Sequence, residues 1–164
     1  MILITGVAGF IGSNLLEYLL RIQKEKIIGI DNLSRGSIFN IKKWLKLITF
    51  KKMDILSTNF LKLKEIKVIY HLASFTDARE SFYSPRVYFK NIVAGTNNVL
   101  ELVRKNDAKL IFASSAAVYG NYRRKVKESD EPKPISPYGI YKLISEKMIE
   151  EYCRIYGIKY SIFR

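Results

Sequence analysis

Thr5-Gly6-Val7-Ala8-Gly9-Phe10-Ile11-Gly12 decides the fold. Three glycines spaced GxxGxxG follow the apolar run Ile2 to Thr5 and open a stretch of helical periodicity. A tight strand-to-helix turn alone needs fewer glycines than this. Gly6 permits the turn, Gly9 lets backbone approach a pyrophosphate, and Gly12 lets helix pack on strand. The helix N-terminus then faces the phosphates, where its free N–H groups favour negative charge.

Outward from this turn, apolar runs that suit buried strands alternate with longer helical stretches. Strands are expected at Ile2 to Thr5, Lys26 to Ile30, Ile48 to Met53, Lys67 to Leu72, Lys109 to Ala113 and Lys159 to Phe163. Helices are expected at Ser13 to Ile22, Arg86 to Arg104 and Pro137 to Tyr156, with a shorter one at Ser57 to Leu63. The order predicts an α/β protein with a Rossmann-type, doubly wound parallel sheet, whose ligands sit at the carboxyl ends of the strands. The charged, proline-containing stretch Asn121 to Ser136 reads as a loop inside one domain, residues 1–164.

Composition fits a globular domain, with 48% hydrophobic and 26% charged residues in 164. Cys153 is the only cysteine and His71 the only histidine, so neither a disulfide nor a metal cluster is expected, and a reducing cytoplasm suits the chain. No apolar run is long enough to suggest a membrane span. The net charge of +13 raises the question of nucleic acid. Lysines 42, 43, 46, 51, 52, 62, 64 and 67 are interleaved with apolar residues rather than gathered in a tail. They read as solvated faces, and nucleic-acid binding is disfavoured.

Asp31 ends the second strand 19 residues after Gly12, where a carboxylate can accept hydrogen bonds from ribose hydroxyls. It favours NAD over NADP by repelling a 2′-phosphate, while nearby Arg35 opposes that preference. Asp54, ending the third strand, reads equally as an adenine contact or as a cap for the next element. In Tyr138-Gly139-Ile140-Tyr141-Lys142, Ser136 is the expected N-cap and Pro137 opens the helix. Tyr138 and Lys142 then share a face, and an ammonium there would stabilise a phenolate acting as general base. With 11 tyrosines in a lysine-rich chain the YxxxK spacing arises about once by chance. Its position after Ser114-Ser115, at the carboxyl end of the fifth strand, gives it meaning.

TGVAGFIGSNL, DNLSRG, HLAS, NIVAGT, SSAAVYG and SPYGIYKL occur in this order across the chain. The set resembles the extended short-chain dehydrogenase/reductases, most closely the UDP-glucose 4-epimerases. The resemblance implies NAD as cofactor, with Phe10 and Ile11 against the pyrophosphate. It puts Asp31, Asn32, Leu33, Ser34, Arg35 and Gly36 at the adenosine end, and Asp54 and Ile55 at adenine. Leu72, Ala73 and Ser74 would line the cofactor and Asn91 would lie beneath its nicotinamide side. Ser115 would orient the substrate hydroxyl, Tyr138 would be the base, and Lys142 would bind ribose.

The implied reaction is C4 epimerisation of a nucleotide-linked hexose through a transient 4-keto sugar. Related dehydratases carry an Asp-Glu pair directly after the hydroxyl residue. Here Ala116 and Ala117 stand there, which argues against dehydration and leaves decarboxylases and other epimerases open. Tyr141 replaces the serine common before the lysine, and Ser74 a smaller residue. The family continues beyond a sixth strand into a sugar-nucleotide lobe, so the chain is expected to be the cofactor half, with a second chain as one source of that lobe. A homodimer through the helices at 86–104 and 137–156 is also implied. A non-catalytic nucleotide-binding module on the same fold is the competing reading.

Overall fold

The computed structural model describes residues 1–164. Six strands, β1 (Ile2–Thr5), β2 (Ile27–Asp31), β3 (Thr49–Lys52), β4 (Val68–His71), β5 (Lys109–Ala113) and β6 (Tyr160–Phe163), form one sheet in the order β3-β2-β1-β4-β5-β6. All neighbours are parallel. The winding reverses between β1 and β4, and that reversal opens a crevice at their carboxyl ends. No helix is long and apolar enough to cross a membrane.

Both faces of β1 are buried, and its side chains alternate between two cores. Leu3 joins Ile69, Leu110 and Phe112 beneath α4 (Gly95–Asn106) and α5 (Pro137–Tyr156), which contribute Val99, Val103, Ile149 and Cys153. Ile2 and Ile4 point the other way, against Leu16 and Leu19 of α1 (Phe10–Ile22) and Ile41 of the β2–β3 connection. Ser136 caps α5 by accepting from the Gly139 amide at 3.1 Å, Pro137 opens it, and Gly157 ends it at φ +68.

Strand boundaries fall within a residue or so of expectation, but three helices differ. Ser57 to Leu63 forms only a single 3₁₀ turn, Phe60–Lys62. Asp54 Oδ1 accepts from the Leu56 amide at 2.8 Å and Ser57 Oγ from the Asn59 amide at 3.3 Å. These side chains compete with the helix for backbone donors. The expected helix at 86–104 is three pieces on one axis: α3 (Pro85–Phe89), a π turn at Lys90–Ala94, and α4. A separate short helix, α2 (Glu80–Tyr83), precedes them. The first helix starts at Phe10 rather than Ser13, directly from the glycine turn.

At the crevice floor a polar chain ties β1, β4 and α4 together. Thr5 Oγ1 accepts from the Leu72 and Ala73 amides at 3.2 Å each, leaving its own proton for His71 Nδ1 at 2.9 Å. His71 therefore carries its proton on Nε2, which donates to Thr96 Oγ1 at 3.3 Å. Complete burial pushes the imidazole down to about 3, reinforced by the charge of Lys142. Between that value and the unfolded value near 6.5, the unfolded chain binds a proton that the folded chain does not. Stability is thus full above about pH 6.5 and falls with pH through the window.

Two measurements check this frame. A Cβ on Gly12 would lie 2.1 Å from the Gly6 carbonyl oxygen, so Gly12→Ala is expected to cost about 3 kcal/mol or more in urea unfolding, or to prevent folding. From pH 7 to pH 5, above the ordinary carboxylate range, His71 alone should remove about 2 kcal/mol, and a His71→Asn chain should lack that slope.

Candidate functional site

A cleft of about 380 Å³ opens at the carboxyl ends of β1, β2 and β4. Its floor is the glycine turn. Gly6 sits at φ +72, and a Cβ there would lie 2.7 Å from the Ala73 amide nitrogen. Gly9 is different: its φ of −78 is ordinary, and the nearest protein atom to a Cβ, the Gly6 carbonyl oxygen, would be 3.3 Å away. Protein packing barely explains why position 9 lacks a side chain. The open space belongs to the cleft, at the start of α1, which has neither a side-chain cap nor an acidic residue in its first turn. Free N–H groups and a missing Cβ form a cradle into which a pyrophosphate fits. Phe10 (84% exposed) and Ile11 (60% exposed) extend this wall.

Asp31 holds the cradle to β2. Its Oδ2 accepts from the Ala8 amide at 3.0 Å and its Oδ1 from the Leu33 amide at 2.8 Å. Gly36 packs so close that its Cβ would stand 2.9 Å from Oδ2. No arginine or lysine pairs with Asp31, so its negative charge acts on the cleft uncompensated by an ion pair. Beyond it, Asn32 donates to Asp54 Oδ2 at 3.0 Å, and Ser34 donates to Asn32 through amide and hydroxyl at 3.0 and 2.7 Å. Asp54 thus caps its own turn through Oδ1 while lining the cleft with Ile55.

The opposite wall is Leu72, Ala73, Ser74 and Asn91. Asn91 lies in the π turn, and its Oδ1 accepts from the Phe75 amide at 2.8 Å, fixing the strand-to-loop bend after β4. Ser74 Oγ donates to the Phe75 carbonyl at 2.8 Å. Gly12, Arg35 and Gly36 complete the set of expected residues that the cleft brings together. Leu33, at φ +60, does not line it, because the left-handed turn that serves Asp31 carries its side chain into the α1-side core. Ile30, Met53, Phe75 and Thr76 line the cleft without having been singled out in the sequence. Each lies within two residues of a motif position, which was the available signal.

Ser115, Tyr138 and Lys142 lie outside the cleft lining, by β5 and α5. Ser115 caps the 3₁₀ turn Ala116–Tyr119, its Oγ accepting from the Ala117 amide at 3.1 Å, and its own proton is donated to no protein atom. Tyr138, 6% exposed, packs edge-on against Tyr88, and its amide donates to Ser81 Oγ at 3.1 Å. Lys142 is 3% exposed, donates to the Ala113 carbonyl at 2.8 Å and lies 4.8 Å from the Phe112 ring centroid. Burial pushes its ammonium down to about 7, against the opposing charge of Glu146. The two residues share the buried face of α5, but the ammonium is engaged by a carbonyl rather than by the phenol.

Glu146, one turn beyond Lys142, was not foreseen, although its i+4 spacing repeats that of Tyr138 and Lys142. Fully buried, it accepts from Arg164 Nη2 at 2.7 Å and from Ser114 Oγ. Arg164 also donates to Tyr119 Oη at 2.9 Å, joining β6 to the turn that Ser115 caps.

If position 9 is kept bare for a ligand, Gly9→Ala should separate folding from binding. Loss of stability is expected to stay near about 1 kcal/mol, the cost of a poorer N-cap. Dinucleotide affinity, by calorimetry, is expected to fall at least about tenfold as a close phosphate contact is lost.

The sequence model of the NAD dependent epimerase/dehydratase family matches residues 2–164. A putative UDP-glucose 4-epimerase of Methanocaldococcus jannaschii is 41% identical over 169 residues, covering 100% of this chain and 54% of the relative. Among solved structures, a UDP-N-acetylglucosamine 4-epimerase from Methanobrevibacter ruminantium in complex with UDP-N-acetylmuramic acid superposes with a TM-score of 0.93 at 32% identity, covering 99% of this chain and 53% of that one. The UDP-glucose 4-epimerase of Thermus thermophilus in complex with NAD gives 0.91 at 30% identity, covering 99% and 54%. The chain spans about half the length of the relatives it matches. A reversed parallel sheet, a glycine cradle at its crevice and a family match from Ile2 to Arg164 make this chain a member of the NAD dependent epimerase/dehydratase family, with NAD as the cofactor.

Proposed function

We propose that residues 1–164 are the cofactor-binding and proton-transfer domain of an enzyme that epimerises a nucleotide-linked hexose at C4, of the UDP-glucose/UDP-galactose type. The observation that carries this reading is the free Ser115 hydroxyl on a turn whose next residues are Ala116 and Ala117, near Tyr138 and Lys142 on α5. Elimination of water from a sugar needs an acid and a base beyond the tyrosine, and two alanine methyls supply neither. The 4-epimerases among the relatives lend further support.

NAD, when bound, supplies a reversible hydride acceptor. Gly6, Gly9 and the start of α1 would hold its pyrophosphate, Asp31 its adenosine ribose, and Asp54 with Ile55 its adenine edge. Tyr138 takes the proton of the C4 hydroxyl as C4 is oxidised and returns it as C4 is reduced. Lys142, four residues on and on the same buried face of α5, is held against the Ala113 carbonyl and the Phe112 ring and would bind the cofactor ribose. Ser115 can donate to the C4 oxygen because no protein group takes its proton, while the bond it accepts from the Ala117 amide orients its oxygen.

The sugar-nucleotide lobe lies outside residues 1–164 in this reading, on further chain or on a second chain. Pairing of two copies through the α3–α4 axis and α5 is supported by Val87, Phe89, Ile140 and Ile144, all exposed on those helices. Cys153, buried and unpaired, suits the reducing cytoplasm.

Calorimetry should give saturable NAD⁺ binding, with weaker NADP⁺ binding. In a coupled assay for UDP-galactose to UDP-glucose conversion with the sugar-nucleotide lobe supplied, Tyr138→Phe should lower the rate at least about 100-fold while leaving NAD⁺ affinity within about twofold. Release of CO₂ from UDP-glucuronate, without interconversion of hexoses, would replace epimerisation by decarboxylation.

A further inference from the structure

Asp31 and Arg35 send opposite signals from the same loop. A carboxylate at the end of β2 accepts ribose hydroxyls, whereas an arginine a few residues on is the group that receives a 2′-phosphate in dinucleotide sites of this fold. Both residues line the cleft. The structure adds a third participant from the far side. Arg35 Nη2 lies 2.5 Å from each carboxylate oxygen of Glu80, which begins α2 beyond β4. On the way it passes over the Phe75 ring, 5.2 Å from the centroid. The guanidinium therefore reaches from the β2 loop to the segment after β4.

Glu80 is itself held in place. Tyr88, a buried residue of α3, donates to Glu80 Oε2 at 3.0 Å, and the Glu80 amide donates to Asp77 Oδ1 at 3.0 Å. Its carboxylate is presented to Arg35 by a fixed partner, while Arg35 has 58% of its side chain exposed and is free to turn elsewhere once released. Exposed ion pairs of this kind contribute little to folding. The pairing matters for what it denies the cleft: a mobile cation beside the ribose.

We propose that Glu80 is a specificity-determining residue that selects NAD over NADP by drawing Arg35 across the cleft against Phe75, away from the position where a 2′-phosphate would be received. The proposal rests on the cleft's Asp31 end being the adenosine site. Selection then has two parts: the unpaired charge of Asp31 repels a 2′-phosphate, and Glu80 withholds the cation that would offset that repulsion.

The test is calorimetric titration of the chain and its variants with NAD⁺, NADP⁺ and the fragments 5′-AMP and 2′,5′-ADP. Glu80→Gln keeps an acceptor for Tyr88 and removes the charge that holds Arg35. It is expected to raise affinity for NADP⁺ and 2′,5′-ADP by about two- to fivefold, the range an exposed ion pair can bias. Affinity for NAD⁺ and 5′-AMP should stay within about twofold. The double variant Glu80→Gln with Arg35→Ala should lose the gain, because the released guanidinium is what produces it. An unchanged NADP⁺ to NAD⁺ ratio in Glu80→Gln, with NAD⁺ still bound, would overturn the role of Glu80 and leave the adenosine site standing. So would a gain that persists without Arg35. Failure of the folded parent chain to bind any of the four ligands would overturn the adenosine site and the proposal with it.

Discussion

Three stretches of backbone meet at the carboxyl end of β1 with no room for a side chain between them: the turn at Gly6, the first turn of α1 at Gly12, and the bend at Leu72 and Ala73 after β4. Hydrogen bonds hold that approach as much as sterics do. Thr5 sits between Ile30 and His71 in the sheet and satisfies the Leu72 and Ala73 amides where the β4–β1 ladder ends. His71 takes up the threonine proton and passes its own to Thr96, so the crevice floor is anchored to α4 through neutral groups only. A charged imidazole would leave one of these donors facing another. Burial of a neutral histidine and closure of the glycine turn are thus one constraint seen from two sides.

Charge is distributed in the site by a similar economy. Asp31 spends both oxygens on backbone amides and has no ion-pair partner, whereas Lys142 is stripped of water and balanced only by a carboxylate one turn away. Glu146 in turn is shared with Arg164, so the ammonium receives part of its field rather than a direct partner. The lysine is left near the point where its proton is easily gained or lost, close to a tyrosine whose phenolic oxygen has no protein partner.

Much of this was legible in the sequence, for physical reasons that differ by element. The parallel sheet was readable because strands buried on both faces, such as Ile2–Thr5 and Ile27–Asp31, must be apolar throughout. The glycine turn was readable because two of its three positions admit no other residue without collision. The short helix at 57–63 misled because helical periodicity does not register what Asp54 and Ser57 do with backbone donors. Glu80, Ser81 and Glu146 escaped notice because their meaning depends on partners far away in the chain: Arg35, Tyr138 and Arg164. Asn91 was expected in the site through the family resemblance alone, since no local pattern announces that the helix around it widens to meet Phe75.

That widened turn has a consequence for how the helix is phased. A π turn accommodates one residue more than an α turn and rotates everything downstream by about 100° around the axis. Tyr88 can therefore pack against Tyr138 and Asn91 serve the crevice while Val99, Leu102 and Val103 serve the core, from what the eye follows as a single rod. A straight α-helix of the same composition would have to surrender one alignment to keep the other. Within 90–94, chain length is thus as strict a determinant as residue identity: losing one residue there would dial Asn91 away from the Phe75 amide even if every side chain were retained.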